Sequence, residues 1–497
     1  MAKKSKTPIT KEINLDDASE IPLFKSRYIL GLILLTAFGL LLRLYTLTDN
    51  SLWLDEVSQL NLSVQSLDMI WQKGVATGLF SPVFSYITHV MLLFGNSEFV
   101  LRIISVVFGV LTIPLFYYIG TEFKDKNVGL ISAAIATVSQ FCIYYSQEAY
   151  CYATDLFFFA AVILLYLRAI RTNTYKEWIL LGVCSAISFW VHYYIFVPLL
   201  VLYLHAAYVY RKEIITIISS KDKLSRFGAF INLKQIAVGS IVAAILISPL
   251  VFIAIQRYTV MSSTAVTYGT LGWNMIVASL YQFFGYNFFL CMASILLIVV
   301  GVFALYTYDR SKAILGGLFL ILPLLISVIL SAKMTMNPRY LITILPILYT
   351  LIAVGIYQIH KVWNSKWAVI AIIAGILLVT AIPLYSYYTT PKNEDWRGYA
   401  LTLSQSTKSG DYIVALPGYI GQPLDYYYNN STDNTHEYYL YNITEINQLI
   451  SIKGNSTIYF VVTPDIMATN PNGDVAKWLN ENTKSLGQYV GIYTFIN

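Results

Sequence analysis

The chain has 497 residues, 57% hydrophobic and only 12% charged, with 33 Lys and Arg against 27 Asp and Glu for a net charge of +6. An ordinary soluble protein carries roughly 45–50% apolar and about 25% charged residues. So little charge cannot coat a soluble body of this size. That excludes a soluble enzyme, a nucleic-acid binder and a disordered scaffold, and leaves an integral membrane protein.

A transmembrane helix needs about 20 mostly apolar residues. In chain order the sequence predicts eleven such spans, at 27–48, 98–120, 127–143, 151–170, 176–192, 194–210, 234–256, 286–307, 312–331, 340–359 and 366–387. Residues 1–26 are polar and no small-residue cleavage site follows the first span, so that span is expected to be an anchor rather than a cleaved signal. The loops on one side hold Lys124–Lys126, Arg168–Lys176, Tyr210–Lys234, Arg310–Lys312 and Lys361–Lys366, together with the N-terminal lysines. Basic residues concentrate on the cytoplasmic side, which predicts a cytoplasmic N-terminus, an external C-terminal tail and a multi-pass protein of the cell membrane.

Two external segments are long. The first, 49–97, contains Leu60–Trp71 and Val83–Phe94, each mixing an apolar with a polar face as interfacial helices do. The second is the tail, 391–497. Three short apolar pieces, starting at Asp411, Ser456 and Val490, alternate with helical stretches at Asp395–Ser406 and Val475–Thr483. That alternation predicts a small α/β domain. Glycosylation sequons at Asn61, Asn429, Asn430, Asn442 and Asn455 are compatible with an external position. The four cysteines, Cys142, Cys151, Cys184 and Cys291, show no metal-ligand spacing. They read as small buried apolar side chains rather than as a disulfide.

Ionisable residues at or near membrane depth are costly and are functional candidates by default. Asp55 and Glu56 follow Trp53 just outside span one. Such a pair suits general-base work or a cation site, and equally suits the acidic first turn of a helix. Tyr144-Tyr145-Ser146-Gln147-Glu148-Ala149-Tyr150 forms an external turn too short to leave the membrane edge, and its hydroxyls and amides around one carboxylate suit sugar binding. His192 stands at the next external turn, where a lone His is more often a satisfied polar residue than a ligand. Arg43, Arg102, Arg257, Lys333 and Arg339 all fall near the external face, where basic residues should be depleted. Guanidinium matches phosphate oxygens two at a time, although any one of these cations also fits snorkelling to lipid headgroups. Together these groups suit a lipid-linked phosphosugar, whose tail dissolves in the bilayer while its head meets the cations. No Walker loop or strand-linked GxGxxG appears.

The order of motifs resembles a known family. Trp53-Leu-Asp55-Glu56, Ser81-Pro82-x3-Tyr86 and Phe94-Gly-Asn-Ser-Glu98-x2-Leu101-Arg102-x2-Ser105-x2-Phe108-Gly109 come first, followed by Tyr145-Ser-Gln-Glu148-Ala, His192-Tyr-Tyr and Asn337-Pro-Arg339-Tyr340. They are similar to the membrane glycosyltransferases of the protein-mannosyltransferase and lipid A aminoarabinose-transferase type. The resemblance implies a mainly α GT-C fold: a transmembrane domain over 27–390, its catalytic carboxylate in the loop 49–97, and the external domain 391–497. It implies inverting transfer of a sugar from a polyprenyl phosphate to a glycan, lipid or protein hydroxyl outside the cytoplasmic leaflet. Asp55 would be the general base. Glu56 would orient acceptor or sugar, Glu148 would bind one of them, and His192 and Tyr340 would line the pocket. Arg102 and Arg339 would hold the leaving phosphate. Some relatives place a divalent metal nearby, for which Glu148 and His192 are the residues on offer. Tyr150 stands where many members have Arg, and Ser81-Pro82 where Pro-Pro is common. A transporter or flippase of lipid-linked sugars is the alternative. It would show repeated halves and polar groups at mid-membrane, and the sequence shows neither.

Overall fold

The computed structural model describes residues 26–77, 82–263, 270–363, 366–428 and 435–497. The N-terminal segment through Lys25, Ser81 and the sequons at Asn429 and Asn430 lie outside the described residues.

Each expected span falls on a helix. These are α1 (Arg27–Leu44), then α5 (Glu98–Phe123), α6 (Lys126–Val138) with α7 (Gln140–Ser146), α8 (Tyr152–Thr172), α9 (Tyr175–Val191), α10 (Phe196–Val209), α12 (Lys223–Ser263), α14 (Phe288–Tyr308), α15 (Arg310–Ser331), α16 (Leu345–Trp363) and α17 (Lys366–Thr389). Among the described residues, seven helices are long and apolar enough to cross a membrane alone, and nine if two bent pairs each count as one span. The chain is a multi-pass membrane protein. Nine of the eleven expected spans are matched among the described residues; those at 176–192 and 366–387 are not among them. Helix α9 has 17 residues, one turn short of a full crossing.

The long segment after the first span folds into α2 (Leu54–Ser63), α3 (Leu67–Thr77) and α4 (Pro82–Met91). The helix expected over Leu60–Trp71 is therefore two helices. Ser66 ends the break by accepting a hydrogen bond from Met69 N at 3.3 Å, as a helix-starting residue does. The bent pair α6–α7 turns by 59° at Ser139. A break frees carbonyls at the end of the first helix, which must find donors away from water. Arg43, buried in α1, supplies them: Nη2 donates to Ala136 O and Nη1 to Thr137 O. That cation holds the bend together.

The tail forms a five-stranded sheet in the order β2-β1-β3-β5-β4 from β1 (Tyr412–Leu416), β2 (His436–Tyr439), β3 (Ile458–Val462), β4 (Lys484–Tyr489) and β5 (Ile492–Ile496). Strands β1, β2 and β3 run parallel, β5 pairs antiparallel with β3, and β4 pairs antiparallel with β5. Side chains alternate across β1. Ile413 and Ala415 pack under Trp396 and Leu403, whereas Val414 and Leu416 pack with Phe460, Leu449 and Leu479 on the other face. A sheet covered on both faces is the α/β arrangement. The domain docks on the segment 49–97. Leu52 N donates to Tyr427 Oη at 2.7 Å, and Trp396 N donates to Ser51 Oγ at 2.9 Å. All four cysteines are free.

Candidate active site

Asp55 and Glu56 are neighbours in the first turn of α2, yet they face different surroundings. Glu56 is 1% exposed and its carboxylate is saturated. Its Oε1 accepts from Arg102 Nε at 2.8 Å and Ala149 N at 2.7 Å, and its Oε2 from Arg102 Nη2 at 2.7 Å and Trp53 N at 3.3 Å. Arg102 is equally committed. Its Nη1 donates to Leu47 O and Asn50 O, both at 2.8 Å, and Nη2 to Ser51 O at 3.1 Å. A guanidinium has five N–H donors, and all five are used inside the protein. The pair staples the segment 47–56 to α5 and to the turn at Ala149, so the roles expected of Glu56 on substrate and Arg102 on phosphate would be met from within this network.

Asp55 instead meets Arg339. Arg339 Nη2 lies 2.9 Å from Asp55 Oδ2, with the two side chains 19% and 25% exposed. The contact is an ion pair outside hydrogen-bond geometry, and both Asp55 Oδ2 and Arg339 Nε lack a hydrogen-bond partner. The guanidinium lies 5.2 Å from the centre of the Tyr152 ring and 5.6 Å from that of Trp53. Arg339 is placed by a 3₁₀ turn, Pro338–Ile344, whose start is fixed by Asn337 Oδ1 accepting from Arg339 N at 3.2 Å.

Glu148 completes the acidic group. It is buried and neither of its oxygens has a hydrogen-bond partner. Burial pushes its carboxyl up to about 8, helped by the nearby charges of Glu56 and Asp55 and opposed by Arg339 and Arg102. It therefore carries a proton near neutral pH. The turn that bears it is held by Gln147, whose Nε2 donates to Arg43 O and Tyr45 O, while its Oε1 accepts from Tyr387 Oη at 2.6 Å.

Tyr340 packs with Tyr152, His192 and Tyr194, at ring separations of 5.6–6.5 Å. His192 Nδ1 lies 3.4 Å from Asp155 Oδ2, a carboxylate with no exposure at all. The sequence reading passed over Asp155. The signal was available: an acidic residue inside an apolar run is a functional candidate by default. Two cavities adjoin these residues. One, about 440 Å³ and mostly apolar, is lined by His192, Tyr194 and Tyr340 with Ile247, Val251 and Leu330. The other, about 450 Å³ and largely polar, is lined by Arg339, Asn337, Gln140, Tyr144, Ser386 and Lys392. Among the described residues no three His, Cys, Asp or Glu side chains converge as a metal site, so the donor set does not fit the metal implied for Glu148 and His192.

The family model for dolichyl-phosphate-mannose-protein mannosyltransferases matches residues 80–220. The stretch contains Glu148 and His192 but neither Asp55 nor Arg339, which the fold brings to it. Among solved structures, ArnT from Cupriavidus metallidurans in the apo state matches with a TM-score of 0.55 at 12% identity, over 95% of this chain and 98% of that one. The same protein bound to undecaprenyl phosphate matches with a TM-score of 0.54 at 12% identity, over 93% and 97%. The archaeal oligosaccharyltransferase AglB from Archaeoglobus fulgidus, in complex with an inhibitory peptide and a dolichol-phosphate, matches with a TM-score of 0.55 at 12% identity, over 95% of this chain and 74% of that one. The chain has the GT-C fold that these membrane proteins share. No curated protein matches it by sequence. In this fold the motif residues are spread over the segment 49–97, the turns at Glu148 and His192 and the start of a late span, and the bundle gathers them.

Proposed function

We propose that the enzyme takes a sugar from a polyprenyl-phosphate donor and transfers it, with inversion, to a hydroxyl acceptor at the external face of the cell membrane. The N-terminus then lies in the cytoplasm and the C-terminal domain outside, a placement that the distribution of basic loops supports. One observation carries the reading. Consecutive residues line the two cavities, Tyr340 the apolar one and Arg339 the polar one, with Asp55 2.9 Å from Arg339. A lipid-linked phosphosugar has the same sequence of properties: apolar tail, anionic phosphate, polar sugar. The solved relatives bound to undecaprenyl phosphate and dolichol-phosphate support that class of donor.

The geometry gives each residue a task. The phosphate engages Arg339, competing with Asp55 for the same guanidinium. Asp55 is then released from its ion pair. It takes the proton from the acceptor hydroxyl as that oxygen attacks the anomeric carbon. The bond from the anomeric carbon to the phosphate oxygen breaks on the opposite face, and the charge left on the phosphate is stabilised by Arg339. Glu148, protonated at neutral pH, donates a hydrogen bond to a sugar or acceptor oxygen. His192, fixed by Asp155, and Tyr340 shape the pocket wall.

The test uses purified enzyme in nanodiscs with a panel of radiolabelled polyprenyl-phosphate sugars, comparing wild type with Asp55→Asn. Consumption of one donor, lost in Asp55→Asn while donor binding persists, is the expected result. Transit of labelled lipid across a proteoliposome membrane without sugar release would overturn the reading in favour of a flippase.

A further inference from the structure

With Arg102 and Arg43 both spent on protein oxygens, the site as read so far offers one guanidinium to the donor. A transferring phosphate ester bears charge on more than one oxygen, and recognition by a single cation already shared with Asp55 is sparse. The structure holds a second candidate that the motifs do not contain. Lys392 follows the last span, on the short segment between α17 and the C-terminal domain, and lines the same polar cavity as Arg339. It also borders the small space enclosed by Trp53, Glu56, Arg102 and Glu148.

We propose that Lys392 is the second phosphate-binding cation of this site, acting with Arg339 on the phosphoryl oxygens of the lipid-linked donor. The inference rests on the donor class proposed above. Its amine sits where a ligand group is wanted. Nζ donates to Gln147 Oε1 at 3.0 Å and stands 3.7 Å from the centre of the Tyr387 ring. Among the described residues no carboxylate lies within ion-pairing distance of it. An ammonium has three donors. Gln147 takes one and the ring face attracts the charge, so the amine keeps a donor for the cavity. Its anchor is rigid, because Gln147 is itself held by Arg43 O, Tyr45 O and Tyr387 Oη. Arg397, by contrast, pairs with Glu98 at 2.7 Å.

The charge on Lys392 is conditional. Burial, reinforced by the nearby Arg102, pushes its amine down to about 7, against the weaker pull of Asp49 and Glu56. Glu148, carrying its own proton, faces the same small space and adds little negative charge there. A phosphate arriving beside Lys392 favours the ammonium form, so binding is accompanied by proton uptake and weakens as pH rises above 7.

The experiment measures binding of polyprenyl phosphate to the full chain in nanodiscs, with polyprenol and inorganic phosphate as control ligands. Wild type, Lys392→Met and Lys392→Arg are compared between pH 6 and 9, with thermal unfolding as a check on folding. Loss of one charge-assisted contact predicts affinity about 10–100-fold lower in Lys392→Met. Lys392→Arg should remain within a few-fold of wild type and lose the additional weakening above pH 7. Polyprenol binding should be the same in all three. Equal binding of polyprenyl phosphate by wild type and Lys392→Met overturns the proposal while leaving the donor class standing. An equal loss of polyprenol binding also overturns it, because the residue would then be structural. Inorganic phosphate binding as tightly as the lipid would overturn the lipid-linked source. A wild-type enzyme that does not prefer polyprenyl phosphate to polyprenol removes the donor class itself.

Discussion

Asp55 and Glu56 share one turn of α2, and each meets one arginine. Glu56 and Arg102 satisfy every donor and acceptor they possess, behind 1% and 4% exposure. Asp55 and Arg339 touch at 2.9 Å, with Asp55 Oδ2 and Arg339 Nε left unpartnered beside a polar cavity. In a low-dielectric surrounding a fully satisfied ion pair is hard to disturb, whereas an incompletely satisfied one can change partners at small cost. The first pair is therefore suited to holding the loop, and the second to chemistry. Chemical type alone does not separate them.

The largest effect expected is on turnover. Asp55→Asn should lower sugar transfer by about 10²–10⁴-fold, the usual worth of a placed base, with unchanged thermal unfolding. Glu56→Gln that abolishes turnover at unchanged stability, beside an active Asp55→Asn, would reverse the assignment of the two carboxylates.

Stability should show the opposite ranking. Arg102→Ala leaves Glu56 buried and uncompensated, a change that costs about 3–5 kcal/mol. Arg339→Ala removes a half-satisfied contact at a cavity edge and should cost far less while stopping turnover. Thermal unfolding of both variants in one detergent decides it. Equal losses would mean that the two pairs are alike after all.

Glu148 sharpens the comparison through pH. Its carboxyl sits at about 8 in the folded chain against an ordinary 4.5, raised chiefly by burial. The folded state then holds a proton that the unfolded state has released, so stability falls as pH climbs from about 4.5 towards 8. Glu148→Gln removes that penalty and should be the more stable protein at pH 7.5, by roughly 2–4 kcal/mol at one pKa unit per 1.4 kcal/mol. Near pH 4.5 the two should coincide. Unfolding curves that stay parallel across this range would show that Glu148 is already ionised.

Which parts of this were legible in the sequence follows from what each signal depends on. Long apolar runs placed a helix at each expected span, because crossing a bilayer leaves little choice. Strands β1, β3 and β5 showed as apolar runs since β1 and β3 are covered on both faces and β5 lies beside them. Strands β2 and β4 are the sheet edges, and their His436-Glu-Tyr-Tyr and Lys484-Ser-Leu-Gly-Gln-Tyr carry no such pattern. The site was legible as residue types beside the span ends, but their hydrogen-bond partners were not. Whether Arg102 is free depends on the backbone carbonyls of Leu47, Asn50 and Ser51, which leave no mark in the side-chain sequence. Lys392 escaped for the converse reason: next to a span, a lysine reads as snorkelling.

The smallest effect expected concerns the seam between the C-terminal domain and the bundle. Arg397 pairs with Glu98 at 2.7 Å and donates to Thr48 O at 3.0 Å, while Tyr427 Oη also donates to Glu98 at 2.8 Å. Arg397 is 45% exposed, and exposed ion pairs contribute under about 1 kcal/mol. The domain is also held by Tyr427 on Leu52 N and by Ser51 on Trp396 N, neither of which needs Arg397. Arg397→Ala should thus shift stability by less than about 1 kcal/mol and leave the rate of transfer unchanged. A tenfold loss of turnover at unchanged stability would be the informative surprise. Ser51 and Leu52 lie only three or four residues before Asp55, so a domain that loosens at this seam would move the base. The boundary between holding and reacting would then run through the docked domain rather than between Asp55 and Glu56.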